Sequence, residues 1–311
     1  MTRILFHLLL GNNDPWVAGL KAADPSIDVR CYPDWGSPDD GPAYAYVWEP
    51  KPGLLAEYPN IKAIFSIGAG VDHLTRDPDL PDLPIIRMSD EGLKEAMAEY
   101  ILMGTLMLHR RMPQVIEQQK QKVWERYITS PASEATVGIL GFGELGKRAY
   151  DLLKPVGYKI RAWSRTPKQD QPGLTHFTGM EQLDDFLTGT DVVIGLLPQT
   201  DETIDLLNRD RLLKLNKGAS VLNAGRGSLI VMDDLITLLK EGHLGGAMLD
   251  VFNTEPLPAD HPAWTTERLI VTPHIAAITR PDSAGAYVIK MIQEMEAGGS
   301  ASALLERDRG Y

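Results

Sequence analysis

One hexapeptide restricts the fold of this chain more than any other feature: Gly141-Phe142-Gly143-Glu144-Leu145-Gly146. It follows an apolar run, Val137–Leu140, and opens a helical pattern, Gly143–Leu153. Between a strand and a helix each glycine has a task. The first permits the tight turn, the second lets a pyrophosphate approach the backbone, and the third lets the helix pack closely on the strand. The free N–H groups and dipole at the helix start favour the phosphate charge. The hexapeptide therefore predicts a parallel α/β sheet that binds a dinucleotide; without a ligand it would be a tight βα turn.

The rest of the chain keeps the same rhythm. Strands are predicted at Arg3–Leu9, Ala43–Trp48, Ala63–Ser66 and Ile85–Arg87, with helical stretches at Trp16–Ala23 and Gly53–Tyr58. A long helical pattern runs from Leu93 to His109, and a polar one from Gln114 to Trp124. A second series of strands follows at Thr136–Leu140, Lys159–Trp163, Val192–Leu196, Ser220–Asn223, Gly246–Leu249 and Leu269–Thr272. This is the pattern of a doubly wound sheet. A final helix, Asp282–Glu296, is expected to return to the first domain.

Composition narrows the function classes. At 43% hydrophobic and 23% charged, the chain is an ordinary globular one. Its net charge of −11 argues against non-specific binding to nucleic acid or an anionic membrane. No apolar stretch is long enough to span a bilayer, and the apolar run Ile4–Leu10 reads as a first strand rather than a signal peptide. The single cysteine, Cys31, excludes an internal disulfide and fits a cytoplasmic setting. No metal site is expected.

Cofactor preference is written after the strand Lys159–Trp163. An NAD site usually ends this strand in Asp or Glu, which bonds the ribose 2′-OH. Here Ser164-Arg165-Thr166-Pro167-Lys168 follows, with no acid. Ser164 and Thr166 offer hydrogen bonds and Arg165 a planar fork for a 2′-phosphate. NADP(H) is therefore expected over NAD(H), which stays possible; alternatively Arg165 and Lys168 form a solvated loop pair.

Three chain-distant groups then point to the carboxyl edge of the sheet: Arg226 in Asn223-Ala224-Gly225-Arg226-Gly227, Glu255 after the strand ending at Leu249, and His274 in Thr272-Pro273-His274-Ile275-Ala276. Arg is the bidentate ligand for a carboxylate and its neighbouring carbonyl. Reduction of a 2-keto acid leaves an alkoxide that must take a proton, a task suited to His at neutral pH. A Glu against the imidazole would orient it and favour its charged form.

These segments, with Gly138–Gly146, Leu196–Thr203 and the stretch to Pro281, resemble the D-isomer-specific 2-hydroxyacid dehydrogenases, and within them the glyoxylate/hydroxypyruvate reductase A branch. The resemblance implies two Rossmann-like doubly wound parallel-sheet domains with an interdomain active-site cleft. Residues 1–99 plus 281–311 would form the substrate-binding domain, and 100–280 the dinucleotide-binding domain. It implies NADPH-dependent reduction of a small 2-keto acid, with Arg226 on the substrate carboxylate, Glu255 as partner to the histidine and His274 as general acid. Asp250 would orient the nicotinamide carboxamide. Leu197, Pro198, Thr203, Ala224 and Gly225 would complete the cofactor site beside Gly141, Gly143, Glu144, Leu145 and Gly146. In the loop Gly68–Asp72, the N–H groups of Ala69, Gly70 and Val71 would meet the substrate carboxylate.

Softer expectations complete the set. Trp48 either walls the substrate pocket or belongs to the core. Arg280 either adds a second cation or caps the following helix. The helix at Leu93–His109 supports a homodimer in similar proteins, although Met97, Ile101, Met103 and Met107 suit a core equally well. His7, His73, His109, His176, His243 and His261 match no catalytic position. Two rival functions remain at this level: dehydrogenation of a bulkier D-2-hydroxy acid, and nucleotide sensing by a dehydrogenase-like binding protein.

Overall fold

The computed structural model describes residues 1–9, 11–169, 171–299 and 303–305. Leu10, at the end of the first apolar run, and the chain past residue 305 lie outside the described residues. The chain divides into two compact units: Met1–Leu93 with the described residues from Ile278 onward, and Lys94–Ala277. Both divisions fall a few residues before the expected positions at 99/100 and 280/281.

The first unit holds a five-stranded parallel sheet of β1 (Arg3–Leu8), β2 (Asp28–Cys31), β3 (Ala43–Trp48), β4 (Ile61–Ser66) and β5 (Ile85–Ile86), in the order β2-β1-β3-β4-β5. Strands β1, β3 and β4 are buried at nearly every position. They read as continuous apolar runs because both faces of a parallel sheet are covered. The closing helix Pro281–Glu296 does return to this unit, packing on the helix Asp14–Ala23. Glycines permit the approach: a Cβ on Gly19 would lie 2.1 Å from the carbonyl oxygen of Pro281. Val288 and Ile292 of the closing helix share a core with Phe6, Tyr46 and Phe65.

The second unit holds a seven-stranded parallel sheet of β6 (Thr136–Leu140), β7 (Lys159–Ser164), β8 (Leu174–Thr178), β9 (Val192–Gly195), β10 (Ala219–Asn223), β11 (Leu244–Leu249) and β12 (Leu269–Val271). Its order is β12-β11-β10-β9-β6-β7-β8. Strand β6 lies between β7 and β9. The chain reverses its direction of travel across the sheet there, which opens a crevice at the carboxyl ends of the strands.

The long helix spans Glu91–His109. Met97 and Ile101 are buried in the second unit's core, whereas Met103 and Leu106 are exposed. The polar helix covers Met112–Gln121, short of the expected Trp124, because Lys122 turns left-handed at φ 59° and caps it. Strands β2 and β8 were not expected. Both are sheet edges paired on one side and only partly buried, so neither carries a continuous apolar run.

Candidate active site

The glycine turn has the geometry its spacing demands. Gly141 takes φ +104°, and a Cβ there would lie 2.8 Å from the carbonyl oxygen of Leu196. A Cβ on Gly146 would lie 2.1 Å from the carbonyl oxygen of Gly141, so the helix Glu144–Leu153 packs on the strand at backbone contact. Around Gly143 there is open space. Glu144 and Leu145 occupy the first turn, where helical N–H groups lack an internal partner. Glu144 itself is exposed and pairs with Lys147 at 3.2 Å.

Leu197 and Ala224, both nearly buried, meet this turn at the ends of β9 and β10. Their backbones are close: a Cβ on Gly225 would lie 2.8 Å from the carbonyl oxygen of Leu197. The Thr203 hydroxyl donates to the Pro198 carbonyl at 2.7 Å and closes the intervening loop. These residues gather at the carboxyl ends of β6, β9 and β10, and no acid stands at the end of β7.

Ser164, expected at the 2′-phosphate, is bonded within the protein. Its Oγ lies 2.7 Å from the Thr166 carbonyl oxygen and 2.8 Å from His176 Nε2. A carbonyl only accepts, so the hydroxyl hydrogen goes to Thr166. Ser164 has no hydrogen left for a phosphate, and the Thr166 carbonyl faces inward to it. Arg165 Nη1 lies 4.0 Å from Oε2 of Glu202, on the loop after β9, and Lys168 is exposed.

The second unit brings Arg226, Glu255 and His274 within electrostatic reach of one another. Asn223, buried at the end of β10, shapes the first of these positions: its Nδ2 donates to the Arg226 carbonyl at 2.8 Å, and its Oδ1 accepts from Gly225 N at 3.2 Å. Arg226 Nη1 donates to the Gly225 carbonyl at 2.8 Å. His274 Nδ1 meets Glu255 Oε2 at 2.7 Å, and Glu255 Oε1 accepts from Phe252 N at 2.8 Å. With Nδ1–H given to the carboxylate, Nε2 is the ring nitrogen left to exchange a proton.

The charges reinforce this arrangement. The Glu255 hydrogen bond raises the imidazole pKa above its ordinary 6.5, outweighing burial and the nearby Arg226 charge. Burial pushes Glu255 up, but the His274 hydrogen bond, the Phe252 N–H and the charges of His274 and Arg226 together bring it below its ordinary value.

Asp250 was expected at the nicotinamide; its carboxylate is engaged elsewhere. It is 1% exposed. Oδ1 accepts from Thr272 Oγ1 at 2.6 Å and Ile275 N at 2.9 Å, and Oδ2 from Ala276 N at 2.8 Å. Asp250 therefore fastens the loop on which His274 sits. Tyr100 extends the chain, its hydroxyl 2.7 Å from Thr272 Oγ1.

In the first unit, Ser66 Oγ donates to the Gly70 carbonyl at 3.0 Å and accepts from Gly68 N at 3.3 Å, which sets the 68–71 loop. The N–H groups of Ala69, Gly70 and Val71 make no hydrogen bond among the described residues. Trp48 lies over this loop: a Cβ on Gly68 would be 2.6 Å from its ring. The Trp48 ring also meets His73, with centroids 4.3 Å apart. Arg280 is exposed and its fork closes on Asp282, at 2.7 and 3.2 Å. It stands at the N-cap position of the closing helix, but its side chain makes no cap bond. Its charge is paired with Asp282 at the surface.

A sequence model of the D-isomer specific 2-hydroxyacid dehydrogenase NAD binding domain matches residues 102–276. The chain belongs to that family. A curated relative of this dehydrogenase, a glyoxylate/hydroxypyruvate reductase A of Yersinia enterocolitica, is 39% identical over 99% of this chain and 99% of its own length. A D-isomer specific 2-hydroxyacid dehydrogenase of Xanthobacter autotrophicus Py2, solved with NADPH and MES, superposes with a TM-score of 0.94 at 37% identity, covering 100% of this chain and 99% of the other. An NADPH-dependent glyoxylate/hydroxypyruvate reductase of Sinorhizobium meliloti, solved with NADP and sulfate, has a TM-score of 0.91 at 33% identity, covering 100% of both chains.

Sequence reasoning about this 2-hydroxyacid dehydrogenase passed over Asn223, Tyr100, Thr272 and His176. Asn223 could have been found, since an Asn side chain at a strand end commonly bonds the backbone two residues on, here Gly225. Tyr100 and Thr272 meet only through the fold. Among the described residues, no group of His, Cys, Asp and Glu is arranged to hold a metal, and no helix is long and apolar enough to cross a membrane.

Proposed function

We propose that this dehydrogenase reduces a small 2-keto acid, glyoxylate or hydroxypyruvate, with NADPH as its hydride donor. The observation that carries the proposal is the 2.7 Å pair of His274 Nδ1 and Glu255 Oε2 beside the Arg226 guanidinium. The curated relative of Yersinia enterocolitica bears that activity in its name, and the solved relatives hold NADPH or NADP.

NADPH, when bound, supplies the hydride. The glycine turn would hold its pyrophosphate, and the basic loop after β7 its 2′-phosphate, through Arg165 and Lys168. Arg226 binds the substrate carboxylate and polarises the adjoining carbonyl. His274 gives its Nε2 proton to the oxygen as the carbonyl is reduced. Glu255 holds Nδ1–H, fixes the ring and keeps it charged until that transfer. Asp250 acts one step back by holding the 272–276 loop. In the first unit, the N–H groups of Ala69, Gly70 and Val71 suit a carboxylate, and Trp48 walls that loop.

We further propose a cytoplasmic homodimer. Trp124 and Ile128 are each 95% exposed, and Val123, Met103 and Leu106 are exposed in the same unit. Large apolar groups held in water mark an interaction surface.

A panel of 2-keto acids, run with NADPH and with NADH and followed by cofactor absorbance, tests the activity. Glyoxylate and hydroxypyruvate should give the highest kcat/KM, with NADPH favoured by about tenfold or more, the equivalent of one charge-assisted hydrogen bond. Faster turnover with NADH overturns the cofactor assignment. Faster turnover of a bulkier acid overturns the substrate.

A further inference from the structure

We propose that His176 is a positioning residue that sets the preference for a 2′-phosphorylated cofactor without touching it. The inference rests on the NADPH assignment above and concerns how the site achieves it.

His176 lies on the edge strand β8, opposite Ala162 of β7. Its ring packs against Phe142, the residue between the first two glycines of the turn, with centroids 5.8 Å apart and planes tilted by 60°. Its Nε2 lies 2.8 Å from Ser164 Oγ, and that oxygen lies 2.7 Å from the Thr166 carbonyl. The hydrogen inventory fixes the directions. The Thr166 carbonyl cannot donate, so Ser164 donates to it; Ser164 has only one hydrogen, so His176 must donate from Nε2–H.

One imidazole therefore joins the two turns that face opposite ends of the cofactor's adenosine half. Through Phe142 it supports the pyrophosphate turn. Through Ser164 it draws the Thr166 carbonyl inward, away from any phosphate. An outward carbonyl at that position would present negative charge to a 2′-phosphate, whereas a 2′-hydroxyl could donate to it. The Ser164–Thr166 bond also holds the backbone that carries Arg165. Phe142 and Ser164 are 1% and 7% exposed, so water cannot readily replace these contacts.

The test uses the full-length protein and three single variants. His176→Phe keeps a ring against Phe142 and removes the Nε2–H. His176→Gln retains a donor at the end of the side chain. Ser164→Ala removes the link from the other side. KM is measured for NADPH and for NADH with glyoxylate as substrate, alongside melting temperature.

His176→Phe and Ser164→Ala should each raise KM for NADPH about tenfold, the cost of one lost buried hydrogen bond. KM for NADH should shift less than about twofold, and His176→Gln should recover most of the loss. A purely structural His176 would instead lower the melting temperature and move both KM values together, and that result overturns the inference. If His176→Phe does not fold, Ser164→Ala decides: an unaltered ratio of the two KM values overturns it. Arg165→Ala separates this inference from the assignment beneath it. If wild type prefers NADPH and Arg165→Ala reduces that preference while the other variants do not, only the role of His176 falls. If wild type prefers NADH, the cofactor assignment itself falls.

Discussion

Glu255 favours the charged form of His274, and that single contact predicts a pH dependence with a definite sign. The folded imidazole has a raised pKa, chiefly from the Glu255 hydrogen bond. In the proposed mechanism, keto-acid reduction consumes the imidazolium. Its kcat should therefore hold at low pH and fall as pH rises through a midpoint above 6.5, with hydroxy-acid oxidation showing the opposite trend. The pair stabilises the fold fully between the ordinary Glu and His values of 4.5 and 6.5, less as pH rises through the raised imidazole value, and less as pH falls through the lowered carboxyl value. Glu255→Gln should move the kinetic midpoint downward; an unmoved midpoint in the pH profile would remove Glu255 from its role. His274→Ala should lose about 10²- to 10⁴-fold in kcat with the KM for NADPH retained. Arg226→Ala should lose about 3 kcal/mol, roughly a hundredfold, in kcat/KM, and normal keto-acid turnover would exclude it as the carboxylate ligand. These three residues were legible because each lies just past a short apolar strand. The contacts of Ser164 with His176 and of Asp250 with the 272–276 segment were not legible, because those partners are distant in sequence.

At the scale of elements, the critical piece is the loop after β12. His274 sits there at φ 53°, a left-handed conformation that is costly for a residue with a Cβ. The surrounding bonds impose it: His274 N donates to the Asp250 carbonyl at 2.9 Å, and the Asp250 carboxylate receives three further donors. Asp250→Ala would orphan those donors in a buried site. It should cost about 3 kcal/mol in urea unfolding and lower kcat as the His274 ring loses its aim. Wild-type stability and kcat in that variant would show that the loop is held by something else. Elements were legible in proportion to their burial. Central strands such as β1, β3, β6 and β9 show unbroken apolar runs, while the edges β2 and β8 bury one side and carry mixed sequences such as Asp28-Val29-Arg30-Cys31.

On the scale of the whole molecule, each of the two units is built on one parallel sheet, and a net charge of −11 leaves the water-facing surface acidic on balance. Against that surface, the exposed Trp124 and Ile128 stand out as the place where a second copy would bury apolar area. Light scattering should give the mass of two chains, and the double variant Trp124→Glu with Ile128→Glu the mass of one; a monomeric wild type would end the homodimer proposal. Sequence alone determined the alternation of strand and helix and the glycine turn, because short-range patterning and backbone sterics act within a few residues. Only the tertiary structure decided which hydrogens the side chains still have to give. The free valence of Asp250, and the contact of Ser164 with His176, depend on neighbours that chain folding, not chain order, places within about 3 Å, the reach of a hydrogen bond.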